Sequence, residues 1–144
     1  MAFQRILIAI DGGSVGAYAA IIGIDLARSL HAEFALVNVI DPSEIFAPET
    51  GTEVDDFALR AEQDGTRVMT EFCAQLPAGT EPVQYLPRGA PGSEIVKTAK
   101  EWQADLIVIG SHGRRGLTRA MLGSVAEAVM RHAACPVLVV KTKE

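Results

Sequence analysis

Two cysteines in a chain of 144 residues, Cys73 and Cys135, leave little scope for disulfide or metal chemistry. They lie far apart and form no Cys-x2-Cys pair, so they read as buried, apolar-like thiols. Histidine is as sparse: His31, His112 and His132 are scattered at spacings that suit no metal cage, and no metal ligand is expected. A basic excess is also missing. The net charge is −5 and the arginines of interest sit in one loop, which argues against a nucleic-acid face, because neutralising phosphates takes a broad basic surface. The early apolar run stops at Ile10, before Asp11, and is too short for a signal core or a membrane span. No membrane insertion is expected, and the cytoplasm is the expected location.

Several enzyme signatures are absent as well. There is no Gly-x4-Gly-Lys-Ser/Thr, no Gly-x-Gly-x2-Gly after the first apolar run and no Gly-x-Ser-x-Gly elbow. What remains is a chain that is 49% hydrophobic and 22% charged, the balance of a folded globular protein. Its length fits one domain, spanning 1–144.

Apolar runs alternate with segments of helical spacing. Phe3 to Ile10 is nearly continuous in its apolar part, which predicts a strand buried on both faces of a parallel sheet. Asp11-Gly-Gly-Ser14 turns the chain, and Val15, Ala19, Ile22, Leu26 and Leu30 then predict a helix with Ser14 as its cap. Phe34 to Ile40 is a second strand, closed by Asp41-Pro42. Pro42 to Glu53 reads as a loop, either covering a site or making a plain surface excursion. Ala58, Ala61, Gly65, Val68, Phe72 and Leu76 space a second helix, ending by Pro77. Val83 to Leu86 is a third strand whose flanking prolines suit an edge. A third helix carries Ile95, Ala99 and Trp102, with Ser93 as its cap. Leu106 to Ile109 is the fourth strand, a fourth helix carries Val125, Val129 and His132, and Pro136 to Lys141 is the last strand. Five strands separated by four helices demand right-handed crossovers and a parallel sheet, the doubly wound, Rossmann-like α/β class.

The most informative stretch is Ile107 to Val125, a strand that breaks at Gly110 into a loop of glycine and arginine before helical spacing resumes. Gly110, Gly113 and Gly116 leave room for a ligand's close approach, and Gly123-Ser124 stands where the helix begins. A helix start offers unpaired N–H groups, so with Arg114, Arg115 and Arg119 nearby the stretch reads as an anion cradle for phosphate. The alternative is structural: Ser124 followed by Glu127 is a capping box that explains the serine without any ligand. Asp11 is similarly double, an acceptor for a ribose hydroxyl or a cap for the first turn. His112 could move protons near a phosphate or serve as a polar loop residue.

Gly110-x2-Gly113-x9-Gly123-Ser124 resembles the nucleotide-binding signature of the ATP-binding branch of the universal stress protein family. The resemblance extends to Ile6 through Gly12, Leu36 through Asp41, Gly89-x-Pro91 and Cys135 through Lys141, and so covers nearly the whole chain. It implies the strand order 3-2-1-4-5, which composition could not choose. In that order the chain reverses between the first and fourth strands, and Asp11 and Gly110 meet at the carboxyl-end crevice, where such folds bind ligands.

By the same resemblance, ATP is the expected ligand. Asp11 would contact the ribose, the main chain of Val39 the adenine, and Ala9 and Ile109 the adenine pocket. Gly110, His112, Gly113, Arg114, Gly123, Ser124 and Val125 complete the expected nucleotide-binding set. Any Mg²⁺ would be held mainly by the ATP phosphates and water. With no evident water-activating carboxylate, the site should hold ATP with little or no hydrolysis, and no catalytic residue is expected. The function expected is that of a stress-response regulator switched by nucleotide and acting on an unidentified protein partner. A slow ATPase and a dimeric scaffold that binds no nucleotide are the rivals. Val137 to Val140, an apolar strand at a sheet edge in the implied order, is the expected homodimer seam.

Overall fold

A computed structural model of the chain describes residues 2–41, 43, 54–113 and 122–141, with the side chains of 54, 55 and 57 excepted. The expected loop at 42–53 falls outside the described residues except for Ser43, and Arg114, Arg115, Gly116 and Arg119 fall outside them entirely.

The elements alternate as β1 (Arg5–Ala9), α1 (Ser14–Leu30), β2 (Glu33–Val37), α2 (Val54–Ala74), β3 (Val83–Tyr85), α3 (Pro91–Trp102), β4 (Leu106–Gly110), α4 (Ser124–His132) and β5 (Val137–Val140). All pairings are parallel, and the strand order is β3-β2-β1-β4-β5. Apolar side chains leave each inner strand on both faces, which is why these strands read as continuous runs. Ile6, Ile8, Leu36, Val108 and Val140 pack with α1 and with Val68 and Met69 of α2. Leu7, Ala9, Ala35, Val37, Ile107 and Ile109 pack on the other face with Ile95 and Ala99 of α3 and Ala126 and Val129 of α4. Ile6, Leu7, Ile8 and Ile107 are fully buried, each worth about 1.5–3 kcal/mol over exposure. Two apolar layers thus clamp one sheet, and the crevice falls where β1 and β4 part. Among the described residues no helix is long and apolar enough to cross a membrane.

Three helix starts differ from expectation, each for a local reason. Gly13, not Ser14, is the N-cap of α1, because the turn is already tied by the Gly13 N–H donating to Asp11 Oδ1 at 2.8 Å. Helix α3 begins at Pro91, two residues ahead of Ser93, with Ala90 as N-cap. Proline has no N–H to lose and a φ preset for the first helical position. Gly123 is the N-cap of α4, and Ser124 is the first residue inside. The Ser124–Glu127 capping box is therefore not formed, and Glu127 instead pairs with Arg131 at 2.7 Å. Strand β3 stops at Tyr85, short of Leu86, although Ile40 and Arg88 make one further parallel bridge.

Candidate functional site

Where β1 ends, β2 runs on. The N–H groups of Asn38 and Ile40 donate sideways to Tyr85 O at 3.0 Å and Pro87 O at 2.7 Å, extending the pairing toward β3. Strand alternation then turns the N–H and C=O of Val39 the other way, toward β1. There the ladder has run out: the Ile10 N–H donates to Val37 O at 2.9 Å, and the chain leaves at Asp11 into a turn through Gly12, whose φ is +86°. Both main-chain groups of Val39 consequently lack a hydrogen-bond partner among the described residues. One donor and one acceptor face the crevice side by side.

The opposite wall is built by β4 and α4. The Gly123 N–H donates to Ser111 O at 2.7 Å, and the Glu127 N–H closes the first turn of α4 on Gly123 O at 2.9 Å. The N–H groups of Ser124, Val125 and Ala126 come between and have no partner among the described residues. Three open donors at a helix start carry the positive end of its dipole. Glycine lets this wall close up. A Cβ at Gly123 would lie 2.9 Å from His112 Cα and 3.1 Å from Ser111 O, and one at Gly110 would lie 3.0 Å from Val15 Cγ1. At both positions the vacated space is filled by the chain's own packing rather than left for a ligand. Gly113 is different, since among the described residues its Cβ would meet only Asp11 Oδ2, at 2.9 Å.

These walls enclose a cleft of about 270 Å³, near the lower end of the roughly 300–1,000 Å³ typical of ligand pockets. Of the residues expected at a nucleotide site, Ala9, Asp11, Val39, Ile109, Gly110, His112, Gly113, Gly123, Ser124 and Val125 all line it. Arg114 lies outside the described residues. The cleft also has a wall that sequence reasoning missed: Asn38, Ile40 and Asp41 from the end of β2, and Ala61, Asp64 and Gly65 from α2. Pro91 and Ile95 of α3 close the apolar side. A polar Asn38 at the end of an apolar strand and a glycine inside a helical pattern were the available signals.

The two carboxylates of the turns are engaged. Asp11 Oδ1 accepts from Gly13, and Asp41 Oδ1 accepts from the Ser43 N–H at 3.0 Å and the Ser43 hydroxyl at 2.7 Å. Asp64 pairs with Arg67 at 2.5 Å, and Asp64 together with Glu71 pushes the Arg67 guanidinium's pKa up. His112 Nδ1 lies 3.2 Å from the Ser111 hydroxyl. Among the described residues no group of histidine, cysteine, aspartate and glutamate could hold a metal ion. Both cysteine thiols are free and lie away from the cleft, and burial pushes their pKa values up, which keeps them protonated and unreactive.

An open parallel sheet, with main-chain donors at its switch point that are unpaired among the described residues, defines a doubly wound α/β protein with a crevice where such folds bind ligands. The chain belongs to the universal stress protein family, whose model matches residues 2–141. It is 37% identical over 142 residues to Universal stress protein MJ0531 of Methanocaldococcus jannaschii, covering 96% of this chain and 82% of that protein. It is 32% identical over 151 residues to Universal stress protein YxiE of Bacillus subtilis, covering 96% and 99%. Among solved structures, that of hypothetical protein MJ0577 superposes with a TM-score of 0.80 at 28% identity, covering 100% of this chain and 99% of that one. A universal stress protein solved in complex with cAMP shares the fold at 24% identity, with a TM-score of 0.64 and coverage of 99% and 100%.

Proposed function

We propose that this chain binds ATP in the cleft and acts as a cytoplasmic, nucleotide-dependent regulator of a stress response, with little or no hydrolysis. The observation that carries the reading is the meeting, in one crevice, of three open N–H groups at the start of α4 with the open main-chain pair of Val39. The first set suits phosphate oxygens and the second the hydrogen-bonding edge of adenine, with Ala9, Ile109 and Ile95 supplying apolar contact to the ring. In this reading Asp11, which also lines the cleft, contacts the ribose, and the Ser124 hydroxyl contacts a phosphate. Mg²⁺, if it accompanies the nucleotide, would be carried by phosphates and water. A protein of this fold solved in complex with cAMP is in keeping with a nucleotide ligand.

Two measurements test this. Mass analysis of small molecules released from denatured protein should find ATP, and calorimetry on stripped protein should show ATP binding that excess cAMP does not match. Absence of any nucleotide binding would leave only the scaffold alternative. Phosphate release should stay below about 1 s⁻¹, the lower end of ordinary turnover, and should be unchanged in His112→Ala. A large drop in that variant, with ATP still bound, would make the protein an ATPase instead.

The regulator is further proposed to be a homodimer joined through Val137–Val140. Strand β5 is an edge, and Leu138 is 37% exposed. Pro136 O and Val140 O accept from the N–H groups of Ile107 in β4 and of Ser111 just beyond it, so alternation turns the backbone groups of Val137 and Val139 outward. Val139→Pro therefore removes an N–H that the chain's own sheet does not use, and it should yield folded monomers by light scattering. A wild type that is already monomeric at micromolar concentration would end the proposal.

A further inference from the structure

Asn38 is a buried polar residue of the cleft that neither the signature nor the phosphate wall accounts for. It is 6% exposed, yet it lines the cleft. Its Nδ2 donates to Gly65 O of α2 at 3.0 Å. A helix carbonyl can only accept, so this bond sets the amide's orientation, with the NH₂ toward α2 and the carbonyl oxygen away from it. Among the described residues Oδ1 has no hydrogen-bond partner, and none of their buried side-chain nitrogen or oxygen atoms is left without one. Oδ1 is therefore not sealed in; it reaches the surface of the cleft.

A second acceptor stands next to it. Val39 offers its open C=O beside Asn38, the Asp64 carboxylate is taken up by Arg67, and Ile40 and Ala61 are apolar. Such a wall calls for a ligand that donates. We propose that Asn38 is a specificity-determining residue, whose Oδ1 accepts a hydrogen bond from the exocyclic amine of the bound base and so selects an amino purine over a keto or unsubstituted one. This rests on the ATP reading and deepens it. An amine has two N–H groups and can satisfy two acceptors at once, whereas a keto oxygen in the same place would face oxygen and leave both unpaired. The competing view is that Asn38 only fastens α2 to the end of β2.

Calorimetry with ATP, purine riboside triphosphate, which lacks the amine, and ITP, which carries a keto oxygen, separates the two views in wild type, Asn38→Leu and Asn38→Ala. Wild type should prefer ATP over purine riboside triphosphate by about tenfold, roughly 1.4 kcal/mol, and over ITP by more. In the variants the preference should fall to about twofold, the remainder belonging to Val39 C=O. A fastening role would instead weaken all three nucleotides alike, and an unchanged ratio overturns the inference while leaving ATP binding in place. Wild type that binds none of the three overturns the ATP reading and this one with it. Should both variants fail to fold, the side-chain carbonyl ¹³C resonance of Asn38 in wild type decides. It should shift with ATP and not with purine riboside triphosphate; equal shifts would refute the assignment.

Discussion

The two ends of the cleft are made by opposite means. At the β4–α4 end the working groups are main-chain donors, and glycines bring them into place: Gly123 lets α4 start against the backbone of Ser111 and His112, and Gly110 lets α1 seat on β4. At the β2–α2 end the working groups are largely acceptors, held by side-chain packing in which Gly65 admits Ile40, with an ideal Cβ only 2.8 Å from Ile40 Cγ1, and Asn38 ties the two elements. The first end tolerates almost no change of residue type, since main chain meets main chain. The second can be rebuilt by compensating side chains. Recognition motifs are therefore expected to be written in the first end, and ligand preference to be tuned in the second.

The strongest way to break this contrast is at Gly123. Gly123→Val would push a side chain into His112 Cα and Ser111 O, neither of which can rotate away, and it should cost about 1–3 kcal/mol of stability, as overpacking does. Urea unfolding measures it. A variant as stable as wild type would show that the α4 start is not locked against its neighbour. Gly113→Val sharpens the contrast from the other side. Gly113 is exposed and its nearest described neighbour is a carboxylate oxygen of Asp11 rather than main chain, so stability should change by less than about 0.5 kcal/mol, the usual surface range, while ATP affinity falls about tenfold or more. Unchanged affinity in a folded Gly113→Val would remove the phosphate from this loop.

The same contrast explains what could be read before the fold was known. Alternating apolar runs and helical spacings located all nine elements, because a sheet covered on both faces leaves continuous strands such as Ile6 to Ile10. The strand order came from family resemblance rather than from spacing, since nothing local to β1 says that β4 lies beside it. The α4 wall was legible because glycines at fixed gaps are a backbone requirement written as residue type. The wall of Asn38, Asp64 and Gly65 was not, because it exists only once α2 is laid across the end of β2, a contact 27 residues apart in sequence. Helix starts differ from the serines because the local turn is fixed otherwise: Gly13 is held by Asp11 ahead of α1, and Pro91 presets the first turn of α3 behind Ala90.

Asp11 lines the cleft, and its two oxygens have different surroundings, which makes the proposed ribose contact separable from the turn. Oδ1 accepts from the Gly13 N–H and also crowds Gly16, where an ideal Cβ would come within 2.6 Å, so this oxygen belongs to the turn into α1. Oδ2 is the atom that faces Gly113 and hence the cleft. Asp11→Ala removes both and should cost about 1 kcal/mol of stability together with about 1–2 kcal/mol of ATP affinity, the scale of a lost hydrogen bond whose partner stays behind. Asp11→Asn separates them. Its amide oxygen can still accept from Gly13, so stability should return to near the wild-type value, while the NH₂ that replaces Oδ2 can donate to a ribose oxygen but no longer accept from its hydroxyl. Affinity should then fall between those of wild type and Asp11→Ala, and the deficit should vanish for 2′,3′-dideoxy-ATP, which has no hydroxyl to offer. If Asp11→Asn loses as much stability as Asp11→Ala, the turn depends on charge rather than on the acceptor, and the division of labour between the two oxygens is wrong.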